Sequence, residues 1–292
     1  AVYPPQNLLP EQRDAIVDYT TRMALALGVH GLMNVQYVVA PNADPQGLGV
    51  FVIEVNPRSS RTVPFISKVT GVPLVSIAVN AMLGKTLAEQ GYAGGLCKKQ
   101  DVVAVKAPVF SMSKLAGVDT FLGPEMKSTG EVMGVDRDFE SAAAKALMAA
   151  NLMLPDKGSI LLSVSDNDKA DSINLIKELA TAGYSFFATE GTASVITGLG
   201  IPVVMVPKRL DEGSPNIVDI IRNGTVDAVI NTVTGDREVM QDGFHIRRAA
   251  VDRLIPCFTS LDTARAAVES LSKGSSDFNV MTIQEYLNHL AE

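Results

Sequence analysis

Apolar and polar positions along this chain change period part-way. From about Glu11 to Leu27, Ile16, Met23 and Leu27 share one helical face, and Gly28 stands where a helix end favours glycine. Two strand-like runs follow, Met33–Val39 and Val50–Asn56, separated by the turn-rich APNADPQGLG. A helix is predicted over Pro73–Met82. The stretch from Lys98 to Gly134, rich in Gly, Pro and Lys, predicts an irregular connecting surface, and Asp138–Met153 predicts another helix.

From Lys157 the pattern turns regular. Short apolar runs at Ser159–Val164, Tyr184–Ala188, Pro202–Val206, Asp227–Asn231 and Ile255–Phe258 read as strands. Helical stretches follow them in turn: Ala170–Ala182, Ala193–Leu199, Asn216–Arg222, Phe244–Arg253 and Asp262–Leu271. Parallel strands need crossover connections, so this alternation predicts an α/β domain with a doubly wound, five-stranded parallel sheet. A terminal helix is expected over Thr282–Leu290. The change of pattern places a domain boundary near residue 150, dividing the chain into 1–150 and 151–292.

Composition narrows the function. The 292 residues suit two domains of ordinary size, with 47% hydrophobic and 20% charged residues. A net charge of −7, no Trp and 5% aromatics argue against a broad nucleic-acid or anionic-membrane surface. They leave room for a small anion pocket. Cys97 and Cys257 form neither a disulfide framework nor a CxxC metal motif, so a reducing cytoplasm is the expected location. No apolar run approaches the ~20 residues needed to cross a bilayer. The start, AVYPPQNLLP, lacks the basic and apolar parts of a signal peptide and reads as the interior of something longer.

Two constellations carry candidate chemistry. In FVIEVNPR, strict alternation puts Val50, Val52, Glu54 and Asn56 on one strand face. Phe51, Ile53 and Val55 fall on the other, which is expected to pack on a core. A hairpin centred on Pro45 would set Gln36 directly across from Glu54, with Cβ atoms about 5 Å apart. Gln36, Glu54 and Asn56, with Arg58 and Arg61 just beyond, suit a Mg²⁺ ion bound to nucleotide phosphates. Residue types alone leave this reading level with a plain charged strand end.

The second constellation gathers at the carboxyl ends of the five parallel strands, where open α/β sheets bind ligands. Those ends carry Ser165, Asp166 and Lys169; Thr189-Glu190-Gly191-Thr192; Lys208; Asn231 through Gly235; and Thr259. Two lysines, several hydroxyls and a helix N-terminus at a Gly-containing turn suit a phosphomonoester. Thr189 and Thr192 taken singly also suit plain helix caps. Arg247 and Arg248 are expected to be solvated helix charges. His30, His245 and His289 are not spaced as metal ligands.

The run IEVNPRSSRTVPFISKVTGVPL, residues 53–74, resembles the metal-binding strand of ATP-grasp ligases, in particular the carbamoyl-phosphate synthase large-chain family. GVDTFLGPEMKSTGEVMG, residues 117–134, is similar to the segment after that family's second ATP-grasp unit. Residues 157–260 resemble its methylglyoxal-synthase-like allosteric domain. The resemblance implies a partial ATP-grasp lobe of α+β type followed by an effector domain. It implies that Gln36, Glu54 and Asn56 ligate Mg²⁺ or Mn²⁺, with ATP as substrate, while Arg58 and Arg61 steady phosphoryl and carbamate groups. It further implies that Lys169, Thr189, Thr192, Lys208 and Asn231 contact a nucleotide effector such as UMP or IMP. Glu125 and Thr259 match positions that contact ornithine, and a glutaminase small chain is the implied protein partner.

The departures from the family pattern are specific. Val233 stands where nucleotide-sensitive members often carry a threonine, with Thr232 and Thr234 as the neighbouring hydroxyls that could stand in for it. A lyase reading, with methylglyoxal as product, would use Asp166 and a carboxylate base. That base motif here is EGSPN, residues 212–216, with Ser214 in its place. No GxxxxGK[ST] loop or other phosphate cradle stands in for the nucleotide-binding lobe that ATP-grasp folds place upstream. Ligase activity is therefore expected of a longer parent, and this stretch alone is expected to be inactive and to expose apolar surface.

Overall fold

A two-stranded ribbon and a five-stranded sheet organise the computed structural model of the protein, which describes residues 1–44, 47–110, 119, 121, 127–208, 213, 215–233, 237–271 and 280–288. By density of contacts the chain divides into two compact units, Ala1–Ala104 with Val280–Glu292, and Val105–Asn279.

In the first unit, β1 is the two-residue strand Val2–Tyr3, and α1 spans Pro10–Ala26 with proline in its first turn. The Gln12 side chain is buried; its oxygen accepts from the Leu9 N–H at 3.1 Å and its Nε2 donates to the Leu48 carbonyl at 3.2 Å. β2 (Asn34–Val39) and β3 (Val50–Asn56) pair antiparallel, and Gln36 lies opposite Glu54 as expected. The register then shifts between Gln36 and Tyr37, which leaves Ile53 without a partner.

That bulge corrects the expected faces. One extra residue re-aims everything beyond it, so strict alternation fails. The pairs Gln36–Glu54, Asn34–Asn56 and Val38–Phe51 now share a face, and Val35–Val55, Tyr37–Val52 and Val39–Val50 share the other. Tyr37 places the second face against α1, its hydroxyl 2.6 Å from the Thr20 hydroxyl and donating to the Ile16 carbonyl at 3.3 Å. Phe51 and Ile53, expected in a core, are 42% and 60% exposed.

A helix not anticipated from the sequence, α2 (Thr62–Thr70), follows. It tolerates Pro64 because a proline in the first turn removes no intrahelical hydrogen bond. It stops at Gly71, which takes the left-handed conformation at φ 71°. α3 (Leu74–Met82) comes next, and α10 (Ile283–Asn288) packs beside α2. Phe65, Val69, Ala78 and Tyr286 are buried here, whereas Val75, Val79, Met82 and Leu83 on α3 and its end are exposed, as apolar surface was expected to be. Among the described residues no single helix is long and apolar enough to cross a membrane.

The second unit opens with another correction. Within the stretch expected to be irregular, β4 (Val103–Val109) and β5 (Gly130–Asp136) are neighbouring strands. Composition rich in Gly, Pro and Lys masked two β-branched runs, VAVKAPV and GEVMGVD, whose pairing supplies what local propensity does not. α4 (Phe139–Ala149) follows, capped by Asp138, whose carboxylate accepts from the Ser141 N–H at 2.8 Å. α4 packs on β5 at Gly134, where an added Cβ would lie 2.1 Å from the Ala142 carbonyl oxygen.

All five expected parallel strands are present: β6 (Ser159–Ser163), β7 (Ser185–Ala188), β8 (Val203–Met205), β9 (Ala228–Asn231) and β10 (Cys257–Phe258). Their order is β10-β9-β6-β7-β8, and every neighbouring pair is parallel. α5 (Lys169–Thr181) and α6 (Glu190–Gly198) lie on one face with α9 (Leu261–Leu271), and α7 (Ile217–Arg222) and α8 (Arg237–Asp252) lie on the other. Side chains alternate accordingly: Ile160, Leu162, Ala228 and Ile230 join the first core, Leu161 and Val229 the second. Burying each Leu or Ile contributes about 2 kcal/mol.

Arg247 on α8 is the largest departure from the sequence reading. Expected in solvent, it is 0% exposed. Its Nε donates to Asp119 Oδ1 at 2.6 Å and its Nη2 to Asp119 Oδ2, while the Phe121 ring lies 5.8 Å from the guanidinium carbon. Arg248, by contrast, pairs with Asp252 at 3.0 Å on the helix surface. Burial alone would raise the Asp119 carboxyl; hydrogen bonds from Arg247 and the Phe121 N–H, with the charges of Arg247 and Lys127, outweigh it and hold the pKa below the usual value.

Two stability predictions follow from this packing. Gly134→Ala crowds backbone rather than a flexible side chain and lowers stability by about 2 kcal/mol, measured by urea unfolding. Asp119→Asn costs about 2–3 kcal/mol at pH 7, less than for a fully sealed pair because Asp119 keeps some solvent contact. Since the native carboxyl titrates below its unfolded value, this contribution is whole above about pH 4 and is lost as pH falls through the native pKa. The melting-temperature gap between wild type and Asp119→Asn should therefore hold from pH 7 to 5 and close in more acid solution; a gap that widens in acid contradicts the assignment.

Candidate functional sites

Each unit carries one site. In the first, pairing across the ribbon brings Gln36, Glu54 and Asn56 to a common face, the one α1 does not cover. Asn56 Nδ2 donates to Glu54 Oε1 at 2.9 Å, which fixes the amide beside the carboxylate. Gln36 and Glu54 are both exposed. Arg58 and Arg61 are exposed in the turn from β3 into α2, with Arg58 Nη1 donating to the Ser59 carbonyl at 2.9 Å.

This donor set fits one kind of cation. Among the described residues no group of three or more His, Cys, Asp or Glu is placed to hold a metal ion. One carboxylate flanked by two amide oxygens does not make a closed protein cage. It does match Mg²⁺-like binding, in which one or two carboxylates share the ion with substrate phosphates and water.

The second site lies between β6 and β9. These neighbours feed helices on opposite faces, which opens a crevice beyond their carboxyl ends. Backbone groups there are claimed by buried side chains. Thr232 Oγ1 accepts from the Ser165 N–H at 2.9 Å, Thr192 Oγ1 accepts from the Val164 N–H at 3.0 Å, and Asn231 Nδ2 donates to the Ser163 carbonyl at 3.2 Å. The Asn231 oxygen accepts from Arg247 Nη1 at 2.7 Å.

Beside this polar floor sit the two lysines. Lys169 Nζ donates to Asp166 Oδ1 at 2.6 Å. The same ammonium reaches the start of α6, where a Cβ added at Gly191 would lie 2.5 Å from it. Lys208, half-buried after β8, adds its charge to that of Lys169; the hydrogen bond and charge of Lys169 come first in holding the Asp166 carboxyl below its usual range. Two cations and a helix N-terminus thus converge at one place.

Of the residues singled out from sequence, Lys169, Thr189, Thr192, Lys208 and Asn231 all fall at this end of the sheet. Thr189 stands at the N-cap of α6 yet makes no capping hydrogen bond, so simple capping does not account for it. Thr192 is buried and bonded to the β6 backbone, and Val233 is half-buried. Thr259 is half-buried just past β10. Glu125, Ser214, Thr234 and Gly235 lie outside the described residues. The sequence reading missed Asp119 as a partner of this site and took Arg247 for a surface charge. The available signal was a doubled arginine on a helix whose other residues, Ile246, Ala249 and Ala250, pack inward.

Comparison with known proteins agrees with both halves. Residues 1–90 match the ATP-binding domain of the carbamoyl-phosphate synthase L chain, and residues 171–259 match the MGS-like domain. Over 286 residues the chain is 51% identical to the carbamoyl phosphate synthase large chain of Thermomicrobium roseum. That alignment takes in 98% of this chain and 26% of the relative, so the chain spans about a quarter of the length of the protein it matches. Matched in both halves by models of these domains and aligned almost throughout with such a protein, the chain belongs to the carbamoyl-phosphate synthase large-chain family, of which it carries ATP-binding-domain sequence followed by an MGS-like domain.

Proposed function

We propose that this chain serves a cytoplasmic carbamoyl-phosphate synthase in two ways: its ribbon helps bind the metal–nucleotide that phosphorylates carbamate, and its parallel-sheet domain binds a phosphorylated effector. In this reading the whole ligase makes carbamoyl phosphate from ATP, bicarbonate and ammonia released from glutamine by a glutaminase small chain. The observation that supports the effector role is the Lys169 ammonium at the Gly191 turn, with Lys208 acting on the same carboxylate. UMP and IMP fit because each offers a phosphate to this cationic end and a ribose to the polar floor. Ornithine, through Glu125 and Thr259, is the further effector the family pattern points to.

At the ribbon, Glu54 supplies the negative charge and Gln36 and Asn56 neutral oxygens, while Arg58 and Arg61 offer planar donors to phosphoryl or carbamate oxygens. Mg²⁺ or Mn²⁺, when bound, supplies charge neutralisation at the phosphates. Effector binding then acts on the ligase through a coupling free energy, which is reciprocal between the two ligands.

Calorimetric titration of the 292-residue chain with UMP and IMP should give saturable binding, weakened about tenfold or more by Lys169→Ala. Asp166→Asn removes a competing anion from Lys169 and should tighten binding about threefold. A folded wild-type chain that binds neither nucleotide rules out the nucleotide-effector role. In a complete synthase, Glu54→Gln should cut carbamoyl phosphate formation on the order of a hundredfold while leaving effector binding intact. Near-normal turnover in that variant rules out the metal-ligand role.

A further inference from the structure

Arg247 offers five N–H donors in a fixed fork. The Nε–Nη2 edge serves Asp119, as described above, and Nη1 serves Asn231 Oδ1 at 2.7 Å. Neutralising a buried guanidinium needs only the carboxylate, so the bond to Asn231 is a separate feature. Asn231 is itself 2% exposed, and its other end is fixed, with Nδ2 donating to the Ser163 carbonyl. Turning that amide over would aim an NH₂ group at the guanidinium and a carbonyl oxygen at another carbonyl.

The backbone of α8 is fitted to this pair. A Cβ at Gly243 would lie 2.5 Å from Arg247 Nη1 and 3.2 Å from Asn231 Oδ1. On its far side Asp119 is also held by the Phe121 N–H, which donates to Oδ1 at 3.0 Å, and Lys127 Nζ donates to the Phe121 carbonyl at 3.1 Å. A chain of direct contacts therefore runs from Lys127 through Phe121, Asp119 and Arg247 to Asn231, at the mouth of the β6–β9 crevice.

We infer that Arg247 is a positioning residue for the anion pocket: it sets the Asn231 carboxamide at the carboxyl end of β9, and Asp119 holds Arg247 in place. The inference rests on the effector-pocket reading above. It follows that a substitution at Asp119, which touches no ligand in that reading, changes ligand affinity through Arg247 and Asn231.

The test is a double-mutant cycle in the 292-residue chain, titrated with UMP, IMP and inorganic phosphate and melted in parallel. Arg247→Lys and Asn231→Ala should each weaken binding about tenfold, with Asp119→Asn at about threefold. Arg247→Lys placed on Asn231→Ala should weaken binding no further, though it lowers the melting temperature in both backgrounds. A role in packing alone would leave affinity untouched or make the two losses multiply, and either result overturns the inference. Gly243→Ala guards against a variant that does not fold, because it keeps both charges and crowds the Arg247–Asn231 contact itself, Nη1 first and Asn231 Oδ1 next. It should weaken binding about fivefold, and a folded Gly243→Ala chain that binds like wild type also overturns the inference. Wild-type binding that needs Lys169 but ignores Arg247 and Gly243 sinks this inference alone. No binding by folded wild type sinks the pocket reading with it.

Discussion

The ligand end of the second unit depends on one reversal in the winding of the sheet. From β6 the chain steps outward to β7 and β8 with α5 and α6 on one face; it then returns to the other side of β6 and continues through β9 to β10 with α7 and α8 on the opposite face. Right-handed crossovers make that change of face unavoidable once the direction of travel reverses. Past the end of β6 the Val164 and Ser165 amides are left buried with no strand to pair them, and leaving them unmet is costly. Thr192 and Thr232 fill that role, which explains why these polar side chains are almost wholly buried, while Asn231 adds a second bond to the Ser163 carbonyl, which also accepts from the Thr232 N–H at 3.2 Å.

Arg247 adds a charge to this polar floor, and the charge requires an answer. A buried guanidinium without a carboxylate would be strongly destabilising, and Asp119, 128 residues away in sequence, supplies the carboxylate. The pairing sets Asp119 and Phe121 beside Arg247. Cys257, half-buried in β10, has its thiol pushed up to about 12, since desolvation there outweighs the opposing Arg247 charge.

The first unit is built on a different scale. Its ribbon has two strands and one covering helix, so burial is one-sided and the opposite face stays open. The bulge at Ile53 decides which face that is. It brings Phe51 round beside Glu54 and sends Val50 and Val52 toward α1. Glu54 and Gln36 are thereby left exposed, with Asn56 half-buried beside them.

Much of this was legible in the amino-acid order. Alternating apolar runs gave the five parallel strands and their helices, because a strand covered on both faces must be apolar throughout. Gln36 does face Glu54, but the bulge lies between that pair and the turn, so the three pairs nearer the turn stand one residue off a register centred on Pro45. The shared place of Lys169, Lys208 and the Gly191 turn was legible because the loops after parallel strands gather at one edge of the sheet. What stayed hidden was set by contacts between distant segments. β4 and β5 draw on each other, and β5 on α4, more than on local propensity, and nothing local marks Ile53 as the extra residue. Arg247 reads as a surface arginine until Asp119, Phe121 and Asn231 are brought around it. The sequence by itself determined which elements form and which residues end them, because periodicity and caps are local. Only the tertiary structure decided which polar groups are sealed inside, because burial depends on what the rest of the chain places on top.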